Sequence, residues 1–373
     1  MKPMIPVNNP LFEAREKQLL SDCLDTGWIS SDGPYVAQFE NAFAGYIGVK
    51  HGIAVCNGTV ALELAMAALE LPPGSEVIVP TFTIISCVLA VLRNGLKPVL
   101  VDADRDTWTM DVEQVQRRIG PRTKAIMPVH IYGHPVEMAP IRELAGKHGL
   151  MVVEDAAEAH GALCLGKMCG SLSDIGAFSF YANKIITTGE GGMCVTDRDD
   201  LGEKLRSLRN LCFIPERRFE HRRLGYNFRM TNLQAAIGLA QVERADELIR
   251  RKHWQGDEYG KRLSGVNGIH LQAVKPWADP VHWVHGIVLE QEVPMDALEL
   301  SDRLSRRGVQ TRPFFFPMHE QPVFRDMGLF KGESYPVSER ISRRGLYLPS
   351  GMGLDEAQID SVCRALKKCL IKA

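Results

Sequence analysis

In "SFYANKIITTGEGG", residues 179–192, one amine, Lys184, stands between an aromatic pair and a glycine-rich turn. That setting suits a lysine that bonds to a carbonyl, because a primary amine condenses with aldehydes and ketones to a Schiff base. Two further stretches carry polar groups at element boundaries. In "CNGTVALELAMAALE" an apolar run ends at Cys56, and Asn57-Gly58-Thr59 opens a helix. Free N–H groups and the dipole at such a start favour a phosphate, although an ordinary N-cap turn reads the same. In "VVEDAAEAH" an apolar strand delivers Glu154 and Asp155 to its C-terminal end, the edge at which open α/β sheets bind ligands. A strand-terminating cap reads the same there. Ser179 closes the run "GAFSFY" just before the lysine turn. A phosphate seat, an acid and a lysine are what pyridoxal 5′-phosphate (PLP) needs, the acid facing its pyridine nitrogen. Each signal is weak alone; the ordered set Gly58-Thr59, Asp155, Ser179/Lys184 is strong.

Other motifs point elsewhere and fall short. "GALCLGKM" imitates a phosphate-binding loop, but Met168 stands where a hydroxyl would hold Mg²⁺. "GEGGMC" lacks the third glycine of a dinucleotide fingerprint. "HIYGH" sets His130 and His134 just beyond a strand with no third ligand nearby, so no metal is expected. "ERRFEHRR", residues 216–223, reads either as a solvated loop or as a clamp in which Arg218 and Arg222 grip the phosphates of a charged substrate.

The elements that must hold these residues follow an α/β pattern. Apolar runs "GIAVC", "SEVIVP", "KPVLVDA", "TKAIMPVH", "GLMVVEDA", "IGAFSFY" and "GGMCVT" alternate with stretches of helical spacing such as "EMAPIRELAGKHG". Strands and helices in alternation predict a largely parallel sheet covered on both faces. A long helical stretch, "NLQAAIGLAQVERADELIRRKHWQGDEYGKRL", follows. From about residue 265 strands such as "WVHGIVLE" and "GVQTRPFFF" mix with helices, which predicts a smaller α+β domain. The expected division is 1–245 for the large domain and 246–373 for the small one. The chain has 373 residues and a net charge of −1, which argues against nucleic-acid binding. The longest apolar run, "IISCVLAVL", is too short to span a bilayer. Nine cysteines with no CxxC pair, and no signal-peptide pattern, predict a cytoplasmic protein.

With these residues in hand, the chain resembles the DegT/DnrJ/StrS family of PLP-dependent aminotransferases of nucleotide-linked keto sugars. The resemblance runs through "GWISSDGPYVAQFENAFAGYIGVKHGIAVCNGTVAL", "EVIVPTFT", "VVEDAAEAHG", "GSLSDIGAFSFYANKIITTGEGG", "GYNFRMTNLQAAIGLAQ" and "RPFFFPMH". It implies a fold-type-I aminotransferase with a seven-stranded central sheet, a homodimer whose active sites lie at the subunit interface. By position it makes Lys184 the Schiff-base lysine and Asp155 the partner of the pyridine nitrogen. Gly58, Thr59 and Ser179 would hold the phosphate, and Asn227 would reach it from the other subunit. Glu158 would lie beside the cofactor near its phenolic oxygen. Trp28 and Ser30 of "GWISS", Arg229 and His319 would contact substrate. Relatives usually carry an aromatic residue two places after the phenylalanine of "PTFT", stacked on the pyridine ring. Here that position is Ile84, a departure that leaves aliphatic packing as the alternative.

The implied reaction moves an amino group from glutamate through pyridoxamine phosphate to a keto sugar. "WISS", "ANKIITTGEGG" and "RPFFFPMH" look most like the members that aminate carbon 4 of GDP-4-keto-6-deoxymannose, giving GDP-perosamine for lipopolysaccharide O-antigen. A dTDP- or UDP-linked keto sugar aminated at carbon 3 or 4 is the alternative. Relatives that dehydrate at carbon 3 carry histidine in place of the lysine, so Lys184 argues against that reaction. A non-catalytic PLP-binding regulator is disfavoured by the intact set of three.

Overall fold

The computed structural model describes residues 4–214 and 216–370, with the side chain of Arg218 also outside the described set. All seven apolar runs become strands of one sheet: β1 (His51–Val55), β2 (Glu76–Pro80), β3 (Lys97–Val101), β4 (Thr123–Ile126), β5 (Met151–Asp155), β6 (Ile175–Ser179) and β7 (Gly192–Thr196). Their order is β1-β7-β6-β5-β4-β2-β3. Neighbours pair in parallel except at β7, which is antiparallel to both β1 and β6. The reversal has a local cause: the lysine turn between Ser179 and Gly192 contains no crossover helix, so the chain returns antiparallel.

Alternate residues feed two separate cores, as the strand period of two requires. Val77, Val79 and Val153 join one; Ile78, Ile126 and Val152 join the other. Both faces are therefore covered, which is why the strands read as continuous apolar runs rather than alternating ones. A second, antiparallel sheet has the order β8 (Ile269–Leu271), β9 (His285–Leu289), β11 (Gly345–Leu348), β10 (Arg312–Pro313). Helices Ala297–Ser305 and Glu356–Leu370 pack on it around Leu289, Leu300, Leu346 and Leu366.

Two expectations are corrected. The long helical stretch is two helices, Asn232–Val242 and Ala245–Leu263, because Arg244 leaves the helical region (φ −120°, ψ 21°) without a glycine or proline to signal it. "GVQTRPFFF" contributes only Arg312–Pro313 to a ladder, since Pro313 has no N–H to extend it. Near the start of the described residues, Ile5 bridges Val309, and Val7 accepts from Ser350 N at 2.8 Å, both in the C-terminal part. Among the described residues, no helix is long and apolar enough to cross a membrane.

Candidate active site

The C-terminal ends of β5 and β6 and the starts of helices Gly58–Ala68 and Ile85–Arg93 meet at a cavity of about 620 Å³. Its lining includes Gly58, Thr59, Ile84, Asp155, Glu158, Ser179 and Lys184. Asn57 caps the first helix, accepting from Val60 N at 3.0 Å through its side chain and from Ala61 N at 3.2 Å through its carbonyl. The N–H groups of Gly58 and Thr59 are left without an acceptor among the described residues, as at any helix start. Glycine is needed at 58 for closeness: a Cβ there would lie 2.6 Å from the Ser179 Cβ. Gly192 is constrained likewise, since its Cβ would meet the Asn57 carbonyl oxygen at 2.4 Å. Around this start three hydroxyls gather. Thr59 Oγ1 and Ser86 Oγ are 2.8 Å apart, and Ser179 Oγ accepts from Tyr181 N at 3.3 Å.

Asp155 is buried at the end of β5. Its Oδ1 accepts from Ala157 N and its Oδ2 from the Cys87 thiol, each at 3.1 Å. Lys184 Nζ lies 3.5 Å from Glu158 Oε1 and 3.7 Å from the centroid of the Trp283 indole. Trp283 is held in turn by its own N–H, which donates to the Asn183 carbonyl at 2.8 Å. Burial lowers the Lys184 pKa, opposed by the carboxylates of Glu158 and Asp155. Burial pushes Glu158 up to about 7, opposed by Lys184 and by the Tyr132 N–H that reaches its Oε2 at 2.7 Å. An amine drawn toward its neutral form thus faces an acid that titrates near neutrality.

These groups fit PLP on grounds of geometry and donor chemistry. Two helix starts and three hydroxyls offer neutral donors for a phosphate. Asp155 is a fixed acceptor, and among the described residues Lys184 is the one lysine lining the cavity. Ile84 lines it too, and is the aliphatic surface where an aromatic one was expected.

Next to Asp155, Glu154 has no such freedom. It is fully buried and accepts from His130 Nε2 (2.9 Å), Gly170 N, Leu172 N and Ser173 Oγ (2.8 Å each). The imidazole's other nitrogen accepts from Val136 N at 3.0 Å. His130, Glu154 and Cys169 lie within metal-ligand distance of one another, but the carboxylate and imidazole are already spent on hydrogen bonds.

The residues expected to meet substrate lie elsewhere in the single chain. Ser30 and Arg229 line a separate cavity of about 500 Å³, where Arg229 Nη1 donates to Asn210 Oδ1 at 2.6 Å. Arg222 lines another, of about 490 Å³, with Lys204 and Arg223. Trp28 and Asn227 are exposed, and neither lines the Lys184 cavity. The side chain of Arg218 lies outside the described set. His319 is buried, with Nδ1 2.8 Å from Thr81 Oγ1 and Nε2 3.2 Å from Glu339 Oε1, and it does not line the Lys184 cavity of its own chain. Ser86, Cys87 and Trp283 are site residues that the sequence reading missed. The first two lie just beyond "PTFT", which was noted; nothing local marks the third.

Residues 10–367 match the DegT/DnrJ/EryC1/StrS aminotransferase family. The chain is similar to the GDP-perosamine synthase of Caulobacter vibrioides (44% identical, covering 99% of both chains) and to that of Vibrio cholerae (40%, 98% of both). Among solved structures it superposes on S. venezuelae DesV in complex with a ketimine intermediate, with a TM-score of 0.93, 35% identity and full coverage of both chains.

Proposed function

Because the chain belongs to the DegT/DnrJ/EryC1/StrS aminotransferase family and is a PLP-dependent sugar transaminase, we propose that it aminates carbon 4 of GDP-4-keto-6-deoxymannose with glutamate as donor, giving GDP-perosamine. The observation that carries this reading is full-length similarity, at 40–44% identity, to relatives named for that product.

The bound cofactor supplies an electron sink for the charge that develops at a substrate carbon. This chain's residues do the rest. Lys184 Nζ takes a proton from the donor's α-carbon and later returns one to the sugar's carbon 4, a task that its burial favours. Glu158, 3.5 Å away, exchanges protons with that amine near neutral pH. Asp155, fixed by Ala157 N and Cys87, keeps a proton on the pyridine nitrogen. The N–H groups of Gly58 and Thr59 and the hydroxyls of Thr59, Ser86 and Ser179 bind the phosphate. The Trp283 ring steers the lysine by a cation–π contact.

We further infer a homodimer with shared sites, in which Asn227 of the partner subunit and its arginine hairpin complete the phosphate and nucleotide contacts. Support comes from their placement outside the Lys184 cavity of their own chain. Residues 1–245 would form the large cofactor-carrying domain and 246–373 the smaller one. Nine unpaired thiols suit the cytoplasm, and an amino sugar of this kind suits lipopolysaccharide O-antigen assembly. The test is mass spectrometry of products from GDP-4-keto-6-deoxymannose and from dTDP-4-keto-6-deoxyglucose, each with glutamate. Amino sugar is expected from the GDP substrate. Product from the dTDP sugar alone would overturn the nucleotide assignment and leave the transaminase standing.

A further inference from the structure

Asn183 precedes Lys184 in the chain and lines the lysine cavity with it. Its backbone is pinned on both sides. The carbonyl accepts from the Trp283 indole N–H at 2.8 Å, and Lys184 N closes the turn by donating to the Tyr181 carbonyl at 2.8 Å. The side chain is placed differently. Its Oδ1 is fully buried, yet it has no hydrogen-bond partner among the described residues. Three other acceptors on the cavity lining are all engaged: Asn57 Oδ1 by Val60 N, Asp155 by Ala157 N and Cys87, and Glu158 by Tyr132 N. An unsatisfied buried acceptor is unfavourable, and a donor that arrives with a ligand recovers that cost.

The chemistry of what enters this cavity narrows the donor. The phosphate oxygens of the cofactor accept hydrogen bonds. Glutamate, once its nitrogen is committed to the reaction, presents carboxylates, which only accept. A keto sugar differs, because carbon 3, beside the keto carbon 4, carries a hydroxyl that donates. The nucleotide's own hydroxyls lie beyond the pyrophosphate, away from the reacting carbon.

We propose that Asn183 is a specificity-determining residue whose Oδ1 accepts from the hydroxyl at carbon 3 of the keto sugar; the proposal rests on the carbon-4 reading above. Asn183 and Lys184 are consecutive in the chain, as carbon 3 and carbon 4 are in the ring. One short contact therefore fixes which ring carbon meets the amine. A site built to accept a substrate hydroxyl also rejects the analogue that lacks it, since the acceptor is then left buried and unpaired.

Kinetics of the parent, Asn183→Leu and Asn183→Asp test the assignment, with GDP-4-keto-6-deoxymannose and its 3-deoxy analogue as substrates. Leucine keeps the shape of asparagine without the acceptor; aspartate keeps an acceptor and loses the amide N–H groups. The parent should prefer the 3-hydroxy sugar by about 10- to 100-fold in kcat/KM. Asn183→Leu should lose that preference, and Asn183→Asp should keep part of it. The glutamate half-reaction, read as bleaching of the PLP absorbance, should stay within about threefold in Asn183→Leu, which also shows that the variant is folded. The same preference in parent and Asn183→Leu would overturn the proposal, as would no preference in the parent or its complete loss in Asn183→Asp. The dTDP-4-keto-6-deoxyglucose pair, with and without the 3-hydroxyl, is run alongside. A preference seen only there, and lost in Asn183→Leu, upholds the asparagine contact while the GDP reading fails. A parent that bleaches with glutamate but aminates no sugar of either pair overturns both.

Discussion

Two polar regions of this molecule are built on opposite terms. In the Lys184 cavity each group is fixed from behind: Asp155 by a backbone N–H and a thiol, Lys184 by Trp283 and Glu158, Ser179 by its fit against Gly58. In the hairpin Phe213–Ile214/Arg217–His221 and just after it, Arg217, Arg222 and Arg223 are exposed, and two of them pair with nearby acids. Arg217 meets Glu220 at 3.4 Å, and Arg223 meets Glu70. Exposed pairs of this kind contribute little, typically under about 1 kcal/mol, so they exchange partners at small cost. The cavity is organised before any ligand arrives; the hairpin arginines are not. Chemistry needs the first arrangement, and recognition of a long, charged substrate tolerates the second.

If that contrast is right, damage to the cavity should cost far more than damage to the hairpin. Lys184→Ala should lower transamination by at least about 10²–10⁴-fold with circular dichroism unchanged, since the amine is a proton carrier and its removal opens no large void. Parental turnover by the purified variant would remove the lysine from the reaction. Gly58→Ala comes next. Its methyl would sit 2.6 Å from the Ser179 Cβ, forcing the helix start away from β6. Cofactor affinity, read by fluorescence titration, should fall by about tenfold or more.

On the hairpin side, Arg222→Ala should raise KM for the nucleotide sugar only a few-fold, leaving kcat near the parental value. Mixed with impaired Asn227→Ala chains, inactive Lys184→Ala chains should raise activity above that of either variant alone through hybrid sites. Fully active monomers at high dilution would end the shared-site reading.

The smallest expected effect concerns pH. Because the folded chain raises the Glu158 pKa from 4.5 to about 7, it holds that proton more tightly than the unfolded chain does. The resulting stability is fully present below about pH 4.5 and is lost as pH rises through about 7. Glu158→Gln should flatten this part of the apoprotein's melting profile and leave it a few degrees more stable than the parent at pH 8. An unchanged slope would mean that the acid is ionised at neutral pH.

The same contrast explains what the sequence let one read. The seven strands were legible because a sheet covered on both faces demands continuous apolar runs. Asp155 and Lys184 were legible because charged groups closing such runs are conspicuous. Ser86 and Cys87 were not, since a hydroxyl and a thiol inside "IISCVLAVL" look like apolar helix. Trp283 could not be found locally, because the Asn183 carbonyl that holds it lies a hundred residues away. A motif resemblance located His319, but only geometry revealed both ring nitrogens engaged with Thr81 and Glu339.

The pair Glu154-Asp155 has a consequence for how this site tolerates change. Neighbours on a strand point to opposite faces, so one carboxylate is clamped by four donors behind the sheet while the next is presented in front. The clamp works as a reading frame for β5. A slip of one residue would turn the anchoring acid toward the cavity and bury the working one, and the four donors on the far side forbid that slip. The position of Asp155 is therefore set by a residue that does not line the cavity.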